Sequence, residues 1–290
     1  MPYIEETCEA GQTLEICRYF TYRIHTKGEK REPRGKPTPE AQKRVNQRKA
    51  ETELRRLMNA NFRDGDFLVR LDFFKQNAPP GSKEMQELVS KAMRKLKDAV
   101  KRDGIDLKYL YVKEVGPRGG RHIHAMLTKI DPSRLQQCWP HGGIHIDPLN
   151  SGGQYRRIAA YFIKYALRTE ETEGKLIGKR WYSSRNLVRP KAEKEVIQAK
   201  RFREEPKTRK GYTLEKESVK SGISEFTGYA YLSYTLIKNR EEGGENEGRR
   251  HLHRDKPAGP RKGKGKGDVP DERKKGGRDA PRAAAADRGV

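Results

Sequence analysis

The chain has 290 residues, with 64 Lys and Arg against 40 Asp and Glu, and a formal net charge of +24. That length holds one core of ordinary size with flanking arms and excludes a second large enzyme domain, while the charge favours a polyanionic partner, nucleic acid first. Hydrophobic residues make up 33% and charged ones 36%, so the core must be local and much of the chain solvated.

From the start, residues 1–37 read as an N-terminal arm, with strand character over Leu14–Ile24 and then a charged stretch, Thr26–Lys36, containing Pro and Gly. The N-terminal segment lacks the basic start and apolar run of a secretory signal, and nowhere do about 18 apolar residues run together, so we expect no membrane partner. Cys8, Cys17 and Cys138 are odd in number and unpaired in spacing, which points to a reducing cytoplasm and to neither a disulfide framework nor a cysteine zinc site. Thr38 before Pro39 is a cap and first-turn pair for a helix over Glu40–Met58, which is so charged that it should be exposed and basic.

Phe67–Phe74 reads as a strand. From Ser82, residues Met85, Leu88, Val89, Ala92, Met93, Leu96, Ala99 and Val100 recur at three- and four-residue spacing, the clearest amphipathic helix in the chain, closed by Gly104. Leu107–Val115 and Arg121–Ile130 flank Gly116–Gly120 as a hairpin. A loop with His141 and His145 follows, the glycines between them arguing against a helix, and then a helix over Gln154–Arg168. The order of elements predicts an α+β domain over residues 38–238, a central antiparallel sheet with helices packed on one face. Trp181–Val188 and Phe226–Ile237 carry enough aromatic residues to pack in a C-terminal extension. Residues 239–290 have almost no apolar side chains and read as a disordered basic tail. Residues 241–290 hold 14 Lys and Arg against 10 Asp and Glu, a net +4, so about +20 of the charge lies in the first 240 residues.

Two groups of residues carry chemistry. In Arg121-His-Ile-His-Ala125 the period of two aims His122 and His124 to one side of a strand. With Gly116–Gly120 as the turn, Val115 pairs with Arg121 and Glu114 stands across from His122. Two imidazoles and a carboxylate suit a divalent ion, Mg²⁺ or Mn²⁺ as well as zinc. A second His-x-His, His251-Leu-His253, lies in the tail with no strand around it and reads as coincidence. In the helix over 154–168, Tyr155, Ile158, Ala159, Phe162, Ile163 and Ala166 form the apolar stripe. Tyr161 and Tyr165 fall off it, one turn apart, on a flank with Arg157, Lys164 and Arg168. Phenols are poor nucleophiles at neutral pH unless positive charge stabilises the phenolate or the phosphate it attacks.

The order of strand, His-hydrophobic-His and Tyr-x-x-Lys-Tyr resembles the rolling-circle replication initiators of the HUH endonuclease superfamily, in particular the two-tyrosine type of single-stranded DNA phages and plasmids. The resemblance covers Asp66–Arg168, with Phe67–Phe74 departing from the Thr-rich form usual for the first motif. It implies a sheet-borne divalent ion on Glu114, His122 and His124, Tyr161 as first nucleophile, Tyr165 as second, and Lys164 stabilising the reacting groups. Single-stranded or supercoiled origin DNA would be the substrate, with host helicase and polymerase as partners. No G-x-x-x-x-G-K-[ST] occurs, so unwinding is expected to come from elsewhere, and no nucleotide cofactor is required for joining. A plasmid relaxase or single-strand transposase would share this chemistry. A non-catalytic nucleic-acid-binding protein would use the basic helix for phosphates and the tyrosines for stacking.

Overall fold

The computed structural model describes residues 3–20, 40–116, 119–173, 178–199, 201–224 and 228–239. The stretch Thr26–Lys36, the Thr38-Pro39 pair, His251 and His253, and all of the tail beyond Asn239 lie outside the described residues. Two five-stranded antiparallel sheets and four α-helices make up the described chain, an α+β arrangement.

The first sheet contains β3 (Phe67–Asp72), β4 (Tyr109–Val115), β5 (Arg121–Leu127), β6 (Ile144–Pro148) and β7 (Tyr182–Ser183), in the order β6-β3-β5-β4-β7. Its hairpin register is the one the turn length dictates, with Glu114 opposite His122 and Val115 opposite Arg121. Helix α2 (Ser82–Arg102) buries Met85, Val89, Ala92, Met93, Leu96 and Val100. With α3 (Pro132–Cys138) it covers one face of the sheet, against Val69, Leu71, Ile123 and Ala125. Each such buried side chain contributes on the order of 1.5–3 kcal/mol.

The expectation of helices on one face is corrected here, because the opposite face is covered too. Leu68, Leu110, Val112 and Met126 alternate with the first set and meet α1 (Glu40–Asn61) and α4 (Arg156–Thr172). Strands in the middle of this sheet carry apolar residues on both sides, which is the pattern of a doubly covered layer. Nor is α1 simply an exposed basic rod. Its second half buries Ala50, Leu54, Leu57 and Met58, and two of its arginines find remote carboxylates.

Those carboxylates belong to the second sheet, which replaces the expected arm. Strands β1 (Tyr3–Ala10) and β2 (Thr13–Tyr19) form a hairpin that joins β8 (Glu193–Ile197), β9 (Tyr212–Ile223) and β10 (Ala230–Lys238) in the order β8-β1-β2-β10-β9. The tight turn at Gly11 requires glycine twice over. Its φ is +60°, and a Cβ would sit 2.0 Å from the Asn59 carbonyl oxygen of α1. From β2, Glu15 accepts from Arg55 Nε at 2.6 Å and from Arg56 Nε at 2.7 Å.

Burial alone would push the Glu15 carboxyl up, but Arg55 and Arg56 more than offset it and hold it below the ordinary range. A group with a lowered folded pKa contributes stability that is fully present above the unfolded value, about 4.3 for Glu, and lost as pH falls through the folded value. Glu15→Ala should therefore destabilise the protein by about 3 kcal/mol at neutral pH, with the deficit shrinking in acid. Urea denaturation at several pH values measures both, and a deficit that does not change with pH would contradict the ion-pair account.

Candidate active site

The polar residues of the doubly covered sheet gather at one end, on the face shared with α4. On β5, His122 and His124 point to that side while Ile123 is buried on the other. His124 Nε2 lies 2.7 Å from Glu114 Oε2 on β4. Glu114 is also held by Arg168 of α4, Nη1 to Oε1. His122 takes a different partner, its Nδ1 lying 2.7 Å from Asp72 Oδ1 at the end of β3. Asp72 is further approached by Arg70 Nη2 at 3.1 Å and by His145 Nε2 at 3.1 Å.

The sequence alone picks out neither Asp72 nor Arg70, and it places His145 in a loop with His141. The expected loop around His145 is in fact β6, an edge strand paired with β3 so that His145 stands opposite Arg70. Alternation in Ile144-His-Ile-Asp was the available signal, obscured by its length of five residues and by the two preceding glycines. Those glycines let the strand dock: a Cβ on Gly142 would lie 1.9 Å from the Asp72 carbonyl oxygen and 2.5 Å from its carbon. Asp72 N donates to Gly143 O at 2.8 Å across the same junction. Gly142→Ala should then push β6 from β3, lowering stability by about 1–3 kcal/mol and displacing Asp72 and His145. A denaturant melt showing no loss would refute this close approach.

The tyrosines are presented by α4, whose apolar stripe is buried as its periodicity predicts: Ala159, Phe162, Ile163 and Ala166, with Tyr155 at the N-cap. Off that stripe, the Tyr165 ring stacks on His124 with centroids 4.0 Å apart and planes 16° from parallel. Tyr161 stacks on Tyr165 at 6.3 Å and 23°. Tyr161 is 56% exposed, so its hydroxyl meets solvent next to the histidine strand. Lys164 is exposed on the same helix. The structure thus brings His122, His124, Glu114, Tyr161 and Tyr165 to one place, to which Lys164 is joined through α4.

Burial pushes the His124 imidazole below its ordinary value, and the bond to Glu114 opposes this without cancelling it; His122 and Arg70 add to the lowering. A neutral imidazole, the ligating form, follows at neutral pH. For Asp72, burial raises the carboxyl but the bonds from His122 and Arg70 prevail and keep it ionised. Burial and the neighbouring Glu114 raise the Tyr165 phenol, only partly countered by Arg168.

Among the described residues, no three His, Cys, Asp or Glu side chains are placed together as a ready metal cage. The donor chemistry nonetheless fits a divalent ion. His122 is held through Nδ1 by a carboxylate, the way ligating imidazoles are oriented, which leaves Nε2 for an ion. His124 Nε2 and Glu114 Oε2 lie 2.7 Å apart in a hydrogen bond, and an ion that displaced the shared proton would find a nitrogen and an oxygen ligand side by side. Among the described residues no helix is long and apolar enough to cross a membrane.

No curated protein and no solved structure matches the chain significantly. Residues 71–170, which run from the end of β3 through nearly all of α4 and include every residue of this cluster except Arg70, match the family model of Replication-associated protein ORF2/G2P.

Proposed function

We propose that the chain is a replication initiator that nicks and rejoins single-stranded DNA at an origin, through a tyrosine joined to the 5′ phosphate. The observation that carries this reading is the stack Tyr161–Tyr165–His124, which sets two phenols against the strand that bears the paired imidazoles. The match over residues 71–170 supports the replication role.

Glu114, His122 and His124 would hold a divalent ion, Mg²⁺ or Mn²⁺, which when bound supplies Lewis-acid polarisation of a phosphate oxygen. The remaining work falls to the protein. Asp72 fixes the tilt of His122, and Arg168 and Glu114 fix each other. Tyr161, the more exposed phenol, attacks first: it loses its proton, its oxygen bonds to phosphorus, and the 3′ oxygen leaves and takes up a proton. Lys164, one turn from Tyr161 and adjacent to Tyr165, offsets negative charge gathering on the phosphate. Tyr165 stays protonated in its partly buried stack until the regenerated junction is presented, then repeats the attack so that the displaced strand can close. The free 3′-OH is left for a host polymerase, with a host helicase opening the duplex.

The test is to incubate the full chain with origin-containing single strands and Mg²⁺ or Mn²⁺, then look for a protein–DNA adduct that survives denaturation. An adduct carried on the 5′ side of the break supports the reading; none across both metals, with strands still bound, would leave only a nucleic-acid-binding protein.

A further inference from the structure

A second charged recess lies apart from the tyrosines and histidines. It has a volume of about 730 Å³ and is walled by the middle of α1 and by the segment around β7. Lys49, Lys179, Arg180, Arg185 and Arg189 line it against a single acid, Glu53, with Trp181 set among them. None of these residues takes part in the cluster described above. We propose that this recess is a secondary track for single-stranded DNA, separate from the point of scission.

Three features point to a strand. The five cations, one from α1 and four from the eleven-residue stretch Lys179–Arg189, face a single acid, a positive lining that suits the phosphates of a strand. Arg180 lines the recess, and its buried Nε finds no hydrogen-bond acceptor among the described residues. Trp181 is half buried, packed on the core around α1 and α4 with part of its surface open. An aromatic side chain between cations is how unpaired bases are held without regard to sequence, whereas duplex bases are hidden within their own stack. The recess is also of the size that accommodates a few ligand groups and is too small to admit a duplex. The recess and the reaction cluster border the same strand: Tyr182 pairs with Tyr111 on β4, three residues before Glu114, which corresponds to about 10 Å along a strand.

The inference depends on the nicking reading only for the identity of the polymer, and its test does not require cleavage. The chain contains two tryptophans, and Trp139 is buried in the other core, so a full-length Trp139→Phe, Tyr161→Phe protein in chelator reports on Trp181 alone. Titration with oligothymidylate should quench its emission. Adding Lys49→Ala, Arg185→Ala and Arg189→Ala, all at exposed positions, should weaken binding roughly tenfold or more at low salt. It should also reduce the salt slope by about 2, since each phosphate contact on a single strand contributes about 0.7.

Unchanged affinity and slope in the triple variant would overturn the proposal, as would equal binding of duplex DNA or of oligouridylate. If the triple variant fails to fold, Arg185→Ala alone should still lower the slope by about 0.7, and no change there has the same force. Adduct formation by the unmodified chain without Trp181 quenching would remove the track and leave the nicking reading intact. Quenching without any adduct would do the reverse.

Discussion

Tyr161→Phe is expected to abolish the first covalent adduct with single-stranded DNA, a loss on the order of 10³-fold or more, as when other enzymes lose their nucleophile. The substitution removes one oxygen atom from a ring that is already 56% exposed, so stability should change little. The stack on Tyr165 survives because it needs only the ring. Tyr165→Phe should behave differently: the adduct still forms, and joining of the displaced strand fails. The asymmetry follows from environment, since Tyr165 is pressed against His124 and kept protonated by burial and by Glu114. Denaturing gels of the labelled strand distinguish the two outcomes. Undiminished adduct from Tyr161→Phe would falsify the assignment of the nucleophile.

Substituting Ala for His124 should lower cleavage by about 4 kcal/mol in the activation barrier, on the order of 10³ in rate, and His122→Ala should act similarly. Binding of DNA should persist and stay sensitive to salt, because neither substitution removes a Lys or Arg of this basic chain. His124→Ala also takes away the surface on which Tyr165 rests, so some of its effect will reach the joining step. Asp72→Asn separates positioning from ligation: the side chain keeps its size and can still bond His122, but loses its charge. Its cleavage should fall by a smaller factor, about 10–100, and recover in part with raised metal concentration. Cleavage that continues unchanged in excess chelator would end the metal role for all three residues.

How much of this could be read from the sequence varies by element. The relation of Glu114 to His122 was legible because a five-residue turn and a period of two leave a hairpin one register. The helix α4 was legible for the same kind of reason, its apolar stripe separating Tyr161 and Tyr165 from Tyr155. Asp72 was hidden inside Phe67–Phe74, where apolar residues on both faces conceal which polar one is directed toward a neighbour. His145 was hidden because a five-residue edge strand gives too few alternations to stand out after Gly142 and Gly143. The second sheet was beyond reach for a different reason. Its central pairing sets Ile16 beside Tyr234, and nothing local in either segment specifies a partner more than two hundred residues away. The exposure of α1 was misjudged on that account, since the acids that neutralise Arg55 and Arg56 sit in β1 and β2.

Asn59 gives the second sheet a bearing on the chemistry. Its amide nitrogen donates to Thr13 Oγ1 at 3.0 Å, and its amide oxygen accepts from the backbone of Tyr155, where α4 begins. Gln154 and Arg156 extend that grip to Glu215 and Thr235. The start of α4 is thus clamped by β2 on one side and by β9 and β10 on the other. A recombinant fragment trimmed to residues 71–170 would keep every residue proposed to react yet lose Asn59 and both β2 and β10, and with them the hold on α4.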